Sequence, residues 1–119
     1  MTTHKTQLSD DWTIPTGLTR QARAAAKVIR DFAAEQGLTA AGGRVFYTPA
    51  EWRQRGEDYC RDAELVIVYD GADISAAISM DRAMDYRSYA ALDQLAERLA
   101  ARGLHLEEGT VWYAGLYAA

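Results

Sequence analysis

At 119 residues, 49% hydrophobic and 25% charged, the chain has the size and composition of one globular domain able to build a core without metal or disulfide staples. Its 13 Lys and Arg against 17 Asp and Glu leave a net charge of −4, which excludes the broad basic footprint of a nucleic-acid or anionic-membrane surface. The lone Cys60 excludes an internal disulfide, and with no secretory signal or long apolar run at the start the expected setting is the cytoplasm.

Residues Met1 to Thr16 are polar and turn-rich and read as a mobile arm, with 17–119 as the single domain. Trp12, Ile14 and Pro15 are the exception, and would clip the arm into an edge groove or onto a partner. Thr19 caps a first helix running through Gln36. Ala22, Ala25, Ala26, Ile29, Phe32 and Ala33 form its apolar stripe. Gly37 supplies the left-handed residue after that helix, and Leu38 the hydrophobic contact that follows.

Arg44 to Tyr47 reads as a short strand. Thr48 then caps a helix, with Pro49 at its first position and Glu51 closing a capping box. Tyr47 and Trp52 stand at the two positions of a hydrophobic staple. This second helix is expected from Pro49 to about Asp62, turning Trp52, Gly56, Tyr59, Cys60 and Ala63 inward. Gly56 costs roughly 1 kcal/mol of helix propensity there, so a second backbone is expected to pack close to it. Cys60 reads as a small core residue rather than a nucleophile.

Leu65 to Tyr69 is an unbroken apolar run, as in a strand covered on both faces. Asp70-Gly71 signals a tight turn, and alternation over Ile74 to Met80 predicts a returning antiparallel strand. A long helix from about Tyr86 to Arg102 carries Tyr89, Leu92, Leu95, Ala96 and Leu99 on one face. Gly103 and Leu104 end it as Gly37 and Leu38 end the first helix. An aromatic strand, Thr110 to Tyr117, closes the chain. The two helix-to-strand units also echo each other in spacing. From Gly43 onward the order is β-α-β-β-α-β, that of the ferredoxin-like sandwich, an α+β fold with the first helix added at its N-terminus.

The acidic residues Asp70, Asp73, Asp81 and Asp85 are the enzymatic candidates. Asp70 follows an apolar strand, where a carboxylate can bind a hard cation such as Mg²⁺ or act as a base. The plainer reading makes all four turn and cap residues. His4 and His105 with one cysteine do not compose a zinc site, and Gly42-Gly43 precedes a strand, the wrong context for a phosphate loop. No cofactor and no catalytic residue is expected. The aromatic residues Phe46, Tyr47, Trp52, Trp112, Tyr113 and Tyr117 form either a core cluster or, beside Arg44, Arg53 and Arg55, a protein-binding hot spot. Along the last strand Val111, Tyr113 and Tyr117 are expected on one face and Trp112 and Leu116 on the other.

Three runs carry a resemblance: F-Y-T-P-A-E-W-x-x-R-G-E-x-Y (Phe46 to Tyr59), A-E-L-V-I-V-Y-D-G-A-D (Ala63 to Asp73) and W-Y-x-x-x-Y (Trp112 to Tyr117). Together they resemble a family of small bacteriophage and prophage proteins with no assigned activity to carry over. That family often has His-Asp-Gly-Gly-Asp where this chain has Tyr69 to Asp73, and Tyr69 in place of the His argues against catalysis. The resemblance implies a mobile-element context in a bacterial host cell, where small acidic proteins block host machinery, as anti-CRISPR proteins do.

The resulting expectation is a non-enzymatic binding protein, an inhibitor of a host defence complex. Its partner would be a host protein or nucleoprotein with a basic surface, and neither a membrane nor nucleic acid directly. Glu57, Asp58 and Asp62 on a solvent-facing helix surface, with Trp112 and Tyr113, are the partner-binding candidates. The alternatives are a metal-dependent enzyme using Asp70 and Asp73, and a homodimer through an open sheet face.

Overall fold

In a computed structural model that describes residues 8–80 and 89–118, the chain folds as α+β. Helices α1 (Arg20–Gln36), α2 (Pro49–Arg55) and α3 (Ala90–Ala100) pack on a sheet of β1 (Phe46–Tyr47), β2 (Leu65–Val68), β3 (Leu104–Glu108) and β4 (Tyr113–Ala118). The strand order is β1-β2-β4-β3, and every neighbouring pair is antiparallel. Strand β2 is therefore interior, with Val66 paired to Tyr47 on one side and to Gly115 on the other.

The pleat sorts the core into two clusters. Phe46, Leu65, Ile67, Ala114 and Leu116 face α1 and α3, meeting Ile29, Phe32, Leu95 and Leu99. Tyr47, Val66, Val68, Tyr113 and Tyr117 face the other way, onto Trp52 of α2 and onto Cys60 and Ala63 beyond it. Alternate residues of each strand thus bury on opposite sides, as a sheet covered on both faces requires.

Helix α1 forms as its sequence dictates. The Thr19 side chain accepts a hydrogen bond from the Ala22 N–H, and all six residues of the predicted apolar stripe are buried. Beyond Gly37 the Leu38 N–H donates to the Ala33 carbonyl at 2.8 Å, closing a Schellman motif. Trp12 is fully buried in the same cluster. Its indole N–H donates to the Thr39 carbonyl at 3.0 Å, and its ring meets Phe46 edge-on. Trp12 therefore fills a groove of the domain itself.

Several sequence expectations are corrected. The ferredoxin-like arrangement required Ile74 to Met80 as a strand beside Leu65 to Tyr69, but Asp73–Ala77 is a 3-10 helix. Two physical reasons account for it. Both edges of β2 are already occupied by β1 and β4. Burial also falls on Ile74, Ser75, Ala77, Ile78 and Ser79 while Met80 is exposed, which is not the every-other-residue burial of a half-buried strand. The fourth strand is instead β3, whose Leu104 both follows the end of α3 and opens the strand. Of the expected helix from about Tyr86 to Arg102, residues 86–88 lie outside the described residues, and Ala90–Ala100 buries Leu95 and Leu99 while Tyr89 is exposed.

Helix α2 ends at Arg55 rather than near Asp62. Gly56 adopts φ +75, a left-handed cap whose N–H bonds to the Arg53 carbonyl. A side chain at Gly56 would meet nothing, so the expected close-packed backbone is absent there. The residues Glu57, Asp58 and Asp62 lie on a loop, not on a helix face.

Candidate functional site

The site is built from the start of α2 outward. The capping box is complete: Thr48 Oγ1 accepts from the Glu51 N–H at 3.1 Å, and Glu51 Oε1 accepts from the Thr48 N–H at 3.0 Å. Arg44 adds a bidentate pair, donating from Nη1 and Nη2 to the two Glu51 oxygens at 2.7 Å. The Arg44 hydrogen bonds, then those from Thr48, hold the Glu51 carboxyl down at about 2. Tyr47 packs against Trp52 with ring centroids 5.4 Å apart, as the staple predicts.

From this anchored helix Trp52 reaches the sheet's second face. Its ring lies 4.7 Å from Tyr113 and 6.0 Å from Trp112, centroid to centroid. Trp52 also donates its indole N–H to the Tyr59 carbonyl at 3.0 Å. The Tyr59 N–H in turn donates to the Tyr113 hydroxyl at 3.1 Å. Both backbone polar groups of Tyr59 are thus held by core aromatics, while the residue is 57% exposed.

The rest of the loop is fixed just as closely. Cys60 is buried at φ +64, a conformation uncommon for a residue with a Cβ. Burial pushes its thiol upward despite an opposing hydrogen bond with the Tyr117 hydroxyl. Beneath it Gly115 of β4 leaves the room the loop needs. A Cβ there would stand 2.8 Å from the Ala63 Cβ and 3.0 Å from the Cys60 Sγ. On the outer side Arg53 donates to the Arg61 carbonyl at 3.2 Å and Arg61 to the Glu57 carbonyl at 2.9 Å.

The sequence candidates separate on this frame. Asp58 and Asp62 are exposed and flank Tyr59 along the loop. Glu57 is half-buried and pairs with Arg55 at 3.5 Å. Trp112 is half-buried and shares the cluster of Tyr113 rather than the face of Leu116. The reason is that residues 109–112 form the β3–β4 turn, closed by the Gly109 and Thr110 N–H groups on the Tyr113 carbonyl, so strand alternation begins only at Tyr113. Tyr113 itself is 1% exposed, so it presents no surface of its own and holds the Tyr59 loop from below. Arg44, Arg53, Arg55 and Arg61 stand among the acids, so the surface is mixed in charge rather than uniformly acidic. Tyr59, expected inward, is instead an exposed aromatic residue that sequence reasoning missed.

The metal alternative is placed elsewhere. Asp70 and Asp73 line a shallow cleft of about 380 Å³ with Ser75 and Val111, on the turn that follows β2. The turn is closed by the Ala72 N–H on the Tyr69 carbonyl, and the Asp73 N–H bonds to the Ala40 carbonyl. Among the described residues no three His, Cys, Asp or Glu side chains converge to hold a metal ion. Asp81 and Asp85 lie outside the described residues. Tyr69 is buried, its hydroxyl donating to the Thr110 carbonyl at 2.9 Å, and burial raises its phenol well above the ordinary value.

Among the described residues no helix is long and apolar enough to cross a membrane. Comparison with family models, with curated proteins and with solved structures gave no match for this chain.

Proposed function

We propose that this is a non-enzymatic binding protein that engages a partner protein through the loop following α2. The observation that carries the reading is Tyr59, exposed at its side chain while Trp52 and Tyr113 hold its backbone on both sides. A contact residue fixed before binding loses little conformational freedom on association, and large aromatics at the centre of a patch dominate interface energy. Asp58 and Asp62 beside it supply the charge that steers a basic partner into register. Trp112 and Arg55 extend the patch with ring and guanidinium surface.

The partner class that fits is a protein or nucleoprotein complex with a basic, partly apolar surface. The resemblance of three sequence runs to phage proteins supports reading this binding as inhibition of a host defence complex of the anti-CRISPR kind, in a bacterial host cell. The experiment is affinity capture from a bacterial lysate across a salt series. Wild type is compared with Tyr59→Ala and with the charge reversals Asp58→Lys and Asp62→Lys. The expected result is a captured complex that weakens steeply with salt and is lost in the variants, all of which keep their melting temperature.

A further inference from the structure

We propose that the ring cluster around Arg55 is a guanidinium-binding site, closed in the free protein by the chain's own arginine. The Arg55 Cζ lies 4.9 Å from the Trp52 ring centroid, 5.3 Å from Tyr47 and 5.9 Å from Trp112. These three rings come from separate elements: α2, β1 and the turn before β4. The Glu57 carboxylate completes the surround at 3.5 Å from Arg55 Nη2. Several aromatic faces with one carboxylate form the usual surround for an organic cation, and the present occupant shows which cation fits.

Of Arg44 and Arg55, which both lie over these rings, Arg55 is the displaceable one. Arg44, over Tyr47 at 4.2 Å, is locked by its bidentate pair with Glu51 at 2.7 Å. Arg55 has the longer ion pair, a single contact at 3.5 Å, while the two arginine side chains are about equally exposed. It is also the last residue of α2, directly before the left-handed Gly56. Its departure disturbs neither the capping box nor the hydrogen bonds that hold Tyr59, because none of those passes through it. An arginine from a basic partner would take the same place between the rings, releasing Arg55 to solvent. This rests on the proposed function only for the source of the arginine; the site itself is tested without a partner.

The probe is N-acetyl-arginine amide, titrated into the full chain and followed by the indole N–H resonances of the tryptophans. N-acetyl-citrulline amide, nearly the same shape without the charge, is the comparison. Arg55→Ala should bind the arginine probe at least about fivefold more tightly than wild type, because a tethered competitor at millimolar effective concentration is gone. Arg55→Gln, which keeps much of the stem, should show the same gain, so the result does not depend on one variant folding well. Adding Trp112→Leu to Arg55→Ala should abolish the gain. If neither Arg55 variant gains affinity, or citrulline binds as well as arginine, the cluster is only a stacking support for Arg55 and the proposal fails. Loss of partner capture in Tyr59→Ala is read separately, so the two readings fail independently.

Discussion

The Tyr113 hydroxyl of β4 accepts the Tyr59 backbone N–H at 3.1 Å, joining the sheet to a loop 54 residues earlier in the chain. Burial first, against the opposing effect of that hydrogen bond, raises the Tyr113 phenol above its ordinary value. The phenol therefore stays neutral as a fixed acceptor. Tyr113→Phe keeps the ring and removes only this bond. It should cost about 1 kcal/mol in denaturant unfolding. Amide exchange at Tyr59 should quicken well beyond that at Val66, which sits in the interior strand.

Gly115→Ala tests how closely the loop lies on the sheet. The added methyl meets the Ala63 Cβ at 2.8 Å and the Cys60 Sγ and Tyr117 Cε2 at 3.0 Å, and the Ala63 Cβ moves only with its backbone. Overpacking of this kind should destabilise the fold by about 1–3 kcal/mol and shift the resonances of Tyr59 to Ala63. A neutral Gly115→Ala would mean that the loop has room to lift.

The start of α2 should carry a pH signature. The Glu51 carboxyl is held at about 2 in the folded chain against an ordinary 4.5. Its stabilising contribution is therefore fully present above pH 4.5 and is lost as pH falls through about 2. Glu51→Gln should cost about 1 kcal/mol at pH 7, the range of an exposed ion pair, and less as acid is added. Urea unfolding of both proteins at several pH values checks this; a constant difference down to pH 2 would contradict the assignment.

Cys60 should behave as a core thiol. Because burial raises its pKa and leaves little surface, alkylation by iodoacetamide should be slow in the folded protein and rapid in denaturant. Mass spectrometry before and after unfolding reads the difference directly.

Local rules carried much of this structure. The cap at Thr19, the Gly37-Leu38 ending, the capping box at Thr48 and the Tyr47–Trp52 staple were all legible, because each depends on residues within one or two turns. The continuous apolar run of β2 correctly announced a strand buried on both faces. The Ile74 to Met80 segment misleads because its alternation is short, and because only the tertiary pairing shows that β2 has no free edge. Gly56 reads equally as a packing site inside a helix and as the left-handed residue that ends one, and the structure has the second. The first reading places Tyr59 indoors and puts Asp58 and Asp62 on a helix face. The bonds that hold Tyr59 outward come from Trp52 and Tyr113, and the second lies too far along the chain for any local pattern to predict.

Site-specific photocrosslinking in bacterial lysate shows whether a pre-fixed Tyr59 with its acidic neighbours forms the contact surface. A benzophenone side chain is placed at Tyr59 and, separately, at Asp31 on the exposed side of α1. The account predicts a discrete crosslinked protein from position 59, absent from position 31, and lost when Asp58 and Asp62 are both reversed to Lys. Equal crosslinking from both positions, or a product at 59 that survives the reversals and high salt alike, would contradict it.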